Sequence, residues 1–164
     1  PPGASITGAI LDLHMSFTIA GDQPVGLHRV QDSWGEGSSD APLEEGIPAP
    51  AAAGDATWLH RFYDTDTWAS PGGDYVITAT ATTAVGAVGA YSWGPNPAMT
   101  AEVQSWLDDP VTNYGWMLIG NEAATITAKR FDSRENPVPE NRPALRVEYL
   151  PVRMDQVYLP MVLR

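Results

Sequence analysis

Three kinds of side chain in this chain of 164 residues could do chemistry, and each implies a different partner. Histidine comes first. His14 and His28 stand in strand-like alternation beside Asp and Arg, and His60 lies between Leu59 and Arg61. No two of them share metal-ligand spacing, and no serine stands in a nucleophile-elbow context. Catalysis requires a nucleophile with its base, or paired carboxylates in a cleft. The three histidines therefore read as strand surface, and the chain as a non-enzyme. The absence of cysteine removes thiolate metal sites, cysteine nucleophiles and disulfides. Gly86-Ala87-Val88-Gly89 lacks the spacing and the following helix of a phosphate loop.

Carboxylates come second. Asp64-Thr65-Asp66 puts two on one side of a loop, and Asp74 follows across the next turn. Hard oxygen ligands on a loop suit calcium, the one metal with a case here. A full calcium-loop motif is lacking, so solvated turn carboxylates fit the same pattern better. No other cofactor is implied. The third kind is the aromatic ring beside a polar group. Apolar sugar faces stack on rings, while sugar hydroxyls need paired polar partners. Trp34, Trp68 and Trp93 read as loop aromatics, and Arg130, Asp132 and Arg134 could supply polar contacts from an outward strand face. Structural roles compete: Trp106, Trp116 and Phe131 read as core, and Arg134-Glu135 fits an ion pair.

The elements that must position these groups read as strands. Fifteen Gly and fifteen Pro between short apolar runs favour an all-β architecture. Residues 4–19 alternate, with Leu11, Leu13, Met15, Phe17 and Ile19 on one face, as in a half-buried strand. A turn at Gly21-Asp22-Gln23-Pro24 leads to a short strand over 25–30. Residues 31–55 form a long Gly/Pro/Ala-rich loop. Strands are expected again over 58–63, 75–85, 114–119, 126–131 and 145–150, the last with Leu145, Val147 and Tyr149 inward. The threonine row Thr78, Thr80, Thr82 reads as a solvated strand face. Met99, Val103, Trp106 and Leu107 recur at helical spacing, which predicts one short helix over 99–107. The expected fold is a single antiparallel β-sandwich of jelly-roll type with that helix and that loop.

The net charge of −11, with Lys129 as the single lysine, repels phosphate backbones and excludes nucleic acid as a partner. No apolar run approaches the roughly 20 residues that span a bilayer, so no membrane insertion is expected.

Several blocks together resemble DNRLRE-type domains, secreted β-sandwich modules related to carbohydrate-binding modules. They are Asn113-Tyr114-Gly115-Trp116-Met117-Leu118-Ile119-Gly120, Lys129-Arg130-Phe131-Asp132-Ser133-Arg134-Glu135 and Arg142-Pro143-Ala144-Leu145-Arg146-Val147-Glu148-Tyr149. Pro1-Pro2-Gly3 opening an alternating strand, and His28-Arg29-Val30 followed by Trp34-Gly35-Glu36-Gly37, look like earlier landmarks of the same family. No single block is diagnostic; order and spacing carry the resemblance. It implies a non-catalytic, extracellular or cell-surface module that binds a polysaccharide, and an acidic surface favours a neutral one.

The resemblance also implies further β-structure before Pro1-Pro2-Gly3, where this chain begins as a processed product or fragment would. A domain over 1–150 without that leading strand would keep an open edge, and such an edge recruits another strand. The apolar tail over 151–164 fits the same idea through Val157, Tyr158, Leu159, Met161, Val162 and Leu163. The alternative reading is thus a structural subunit of an extracellular filament or surface layer, whose partners are copies of itself joined by strand addition.

Overall fold

The structure, a computed structural model, describes residues 2–39 and 49–151. Its long strand β1 (Ser5–Thr18) follows the alternation of its sequence and buries Ala9, Leu13 and Met15. β2 (Gln23–Arg29) lies in a second sheet. β3 (His60–Phe62) and β4 (Asp66–Thr67) make a small ribbon of their own. β5 (Ala81–Val85) pairs with β2, and β6 (Gly89–Trp93) pairs with β1. After helix α1 (Pro97–Asp108), β7 (Trp116–Ile119) completes the second sheet in the order β5-β2-β7. β8 (Lys129–Phe131) and β9 (Ala144–Leu150) both pair with β1. Leu11 is opposite both Trp93 and Leu145, so β9 flanks β1 across from β6, and β8 continues that flank along Met15 to Thr18.

All these pairings are antiparallel, and the fold is an all-β sandwich with one α-helix among the described residues. Its core joins Leu13 and Met15 of one sheet to Val25, Leu27 and Val85 of the other. Trp93 is fully buried between them, and its indole Nε1 donates to Val25 O at 2.8 Å. That bond satisfies the one polar atom that a buried tryptophan must otherwise leave unpaired. Met99, Val103 and Trp106 fix α1 to the core. The helix starts where Asn96 Oδ1 accepts the Met99 N–H at 3.0 Å and Pro97 occupies the first turn, where a missing N–H costs nothing. Lys129 links three chain segments by donating to the carbonyls of Ala20, Gly21 and Gly86 at 3.1, 2.7 and 3.2 Å.

Several expectations need correction. The inward face of β1 ends at Met15: a register shift between Met15 and Phe17 leaves Phe17 and Ile19 exposed. A one-residue irregularity is enough, because side chains alternate with period two. The strand expected over 75–85 is regular only from Ala81. Before it the chain touches β2 by single bonds, Val76 N to Arg29 O and Thr80 N to Leu27 O, and Ile77 is exposed. Over 58–63 only β3 forms, with Trp58 and Leu59 exposed. In β9, Val147 packs toward the core but Leu145 and Tyr149 stay open, since β9 has a neighbour on one side alone among the described residues. β1 pairs with β9 over Ser5–Asp12 but with β6 only over Leu11–Met15, and β9 adds a further border that is unpaired among the described residues. The tail residues Val157, Tyr158, Leu159, Met161, Val162 and Leu163 lie outside the described residues.

Candidate functional site

Arg61 on β3 fixes the first wall of the site. Its Nη1 donates to Asp32 Oδ1 at 3.1 Å, to Ser33 Oγ at 3.0 Å and to Ser33 O at 3.3 Å. Gly35 N then donates to Arg61 O, and Ala56 N to Gly35 O. The approach is close enough that a Cβ at Gly35 would sit 1.8 Å from Gly54 O, so only glycine fits. This clamp presents Trp34 with 44% of its surface open. Its indole Nε1 is already committed to Tyr114 O at 2.9 Å. What remains for a ligand is therefore the apolar ring, held in one orientation.

Asn113, Tyr114 and Gly115, leading into β7, form the second wall, tied to β2 by Val30 N donating to Gly115 O at 3.1 Å. Arg134, in the turn after β8, forms the third. Together these segments enclose an open depression of about 760 Å³. Across it, Arg134 Nη2 meets Glu36 Oε2 at 3.1 Å, while its Nε donates to Glu135 Oε1 at 2.6 Å. The hydrogen bond to Glu135, and then the charges of Glu135 and Glu36, raise the Arg134 pKa above its ordinary value; the Arg134 bond in turn holds Glu135 low. One guanidinium between two carboxylates gives the triad a net charge of minus one. An aromatic ring, an amide and both signs of charge around an open floor can stack a sugar face and exchange hydrogen bonds with its hydroxyls.

The six residues expected to contact glycan divide between places. Trp34 and Arg134 meet in this depression. Trp93 does not belong to any loop surface: it is core, for the reason given above. Trp68 is also buried, with Nε1 on Thr57 O at 3.0 Å, because the β3–β4 ribbon folds its chain inward. Arg130 and Asp132 line a separate depression of about 550 Å³ with His14 and Ser16. There Asp132 Oδ2 and His14 Nδ1 lie 2.7 Å apart, and Arg130 Nε donates to Ser16 Oγ at 3.1 Å. Burial opposes the Asp132 charge, but hydrogen bonds from His14, Ser16 and Asn136 prevail and its pKa is lowered. Glu36, Asn113 and Tyr114 were not singled out by side-chain type, although each sits within a block that carries the family resemblance.

Asp64, Asp66 and Asp74 are not gathered into a ligand set. Asp74 accepts the backbone N–H groups of Ala69 and Ser70 at 2.8 and 3.1 Å, which is turn closure, and Asp66 lies on the exposed β4. Among the described residues no group of three His, Cys, Asp or Glu side chains could hold a metal ion. Among the same residues no helix is long and apolar enough to cross a membrane. Comparison with protein-family models, curated proteins and solved structures finds no match to this chain.

Proposed function

We propose that this chain is a non-catalytic glycan-binding module of the DNRLRE type, working outside the cell or on its surface. One observation carries the reading. Trp34-Gly35-Glu36, Asn113-Tyr114-Gly115 and Arg134 come from three separate blocks of the resemblance, and all three contribute to one depression. The ligand class is a neutral polysaccharide, since the Glu36–Arg134–Glu135 triad and the net charge of −11 both oppose uronates.

The test is native affinity electrophoresis through gels that contain neutral or acidic polysaccharides. At least one neutral polysaccharide should retard the protein. Trp34→Ala should abolish most of that retardation, at unchanged circular dichroism, and Arg134→Ala should weaken it. Equal retardation of wild type and Trp34→Ala would refute the site. A second reading, a structural subunit of an extracellular filament or surface layer, has its own observation: β9 leaves one hydrogen-bonding edge unpaired among the described residues.

A further inference from the structure

The outer edge of β9 has a sequence that complements itself. β9 runs Ala144-Leu145-Arg146-Val147-Glu148-Tyr149-Leu150, and among the described residues it pairs with β1 alone. Leu145, Tyr149 and Leu150 are 44, 46 and 63% exposed, and no proline interrupts the strand. Natural edges are commonly protected by charges that repel an incoming strand. The charges here do the reverse when the incoming strand is a second β9.

We propose that β9 is a homodimer interface, in which two copies pair antiparallel about a two-fold axis through Val147. That register sets Arg146 opposite the second copy's Glu148 and Leu145 opposite its Tyr149, twice each by symmetry. Opposed residues in an antiparallel pair share a face, so charge meets charge outside and apolar meets apolar on the core side. Neighbouring registers fail on the same grounds. Centring on residue 146 or 148 puts a like charge opposite itself, and a one-residue slip brings the apolar row of one strand against the polar row of the other. Arg146 is also prepared for the contact. Its Nε and Nη2 donate to Asp12, at 2.5 and 3.0 Å, which steadies the guanidinium while the side chain stays exposed. The product is a continuous sheet in the order β6-β1-β9-β9-β1-β6. The proposal is independent of the glycan reading and goes beyond open-ended strand addition, because a two-fold contact closes on itself.

Sedimentation equilibrium of the whole protein, without glycan, tests it. A reversible monomer–dimer equilibrium is expected. Arg146→Glu and Glu148→Lys should each weaken dimerisation by about tenfold, since each makes both ionic pairs repulsive. An equal mixture of the two variants should restore it, because only the mixed dimer matches every charge. Arg146→Glu also sets a carboxylate against Asp12, so a second measurement leaves that contact intact. The chain has no cysteine. A mixture of Leu145→Cys and Tyr149→Cys proteins should therefore give a disulfide-linked dimer that neither gives alone, opposed Cα atoms in such a pair being within disulfide reach. A protein that stays monomeric up to millimolar concentration overturns the proposal. So does a dimer that ignores both charge variants and fails to cross-link 145 to 149, and so does a polymer that grows head to tail.

Discussion

Asp55 shows how one carboxylate can hold together the two ends of a loop. Its Oδ1 accepts the Ser38 N–H at 2.9 Å and the Ser39 N–H at 3.4 Å, and its Oδ2 accepts the Ala52 N–H at 2.6 Å. The Ser39 hydroxyl contributes most, then the Ala52 amide, in holding its pKa down at about 2. A carboxylate with a depressed folded pKa adds stability that is complete above its unfolded value, about 3.9, and is lost as pH falls toward the folded one. Melting temperatures of wild type and Asp55→Asn should therefore differ most at neutral pH and converge as pH drops from about 4 to 2. A gap that widened on acidification would show that the carboxylate is not the stabilising form. At this scale the sequence was partly legible. Trp34 and Arg134 stood out by residue type, as a loop aromatic and a polar partner, although Arg134 was expected on an outward strand face and lies in the turn after β8. Asp55 did not, since an aspartate at the end of a loop has the same appearance whether it faces water or three amides. Trp68 and Trp93 misled for the complementary reason: indole N–H groups that find backbone carbonyls make burial acceptable, and nothing local announces those acceptors.

Elements were legible wherever one periodicity ran unbroken. The helix is the best case, with Met99, Val103 and Trp106 inward as their spacing requires. Its Asn96 cap performs two tasks, accepting the Met99 N–H and donating Nδ2 to Thr80 O at 3.1 Å, so it joins the helix start to the approach of β5. Asn96→Ala should cost about 1 kcal/mol, read as a lower urea midpoint with an unchanged slope. A loss too small to resolve would mean that the cap is replaced by water. Strands were less legible, because pairing rather than pattern decides them. β6 was not expected, because its run between Gly89 and Gly94 is too short to show a period, yet Tyr91 Oη accepts the Gly86 N–H at 3.0 Å and Trp93 enters the core. The alternation of β9 was plain, but alternation cannot tell an edge from a centre, and the edge leaves Leu145 and Tyr149 open.

For the whole molecule, the sandwich brings distant segments together and so creates a depression that no single segment contains. The β2–β3 connection supplies Trp34, the approach to β7 supplies Asn113 and Tyr114, and the exit from β8 supplies Arg134. The all-β class followed from composition and turn residues; the meeting of these loops depended on strand order, which pattern alone does not encode. If β9 joins two copies, each dimer carries two such depressions, and a polysaccharide long enough to reach both would gain from the second contact. In the proposed function Trp34 receives the sugar. That is tested most directly by nuclear magnetic resonance of the six indole N–H groups during titration with a neutral polysaccharide that retards the protein. The Trp34 resonance should shift with saturation while those of the buried Trp93 and Trp106 stay in place. Saturable binding that leaves Trp34 unmoved and shifts another indole would place the sugar elsewhere and overturn the Trp34 site.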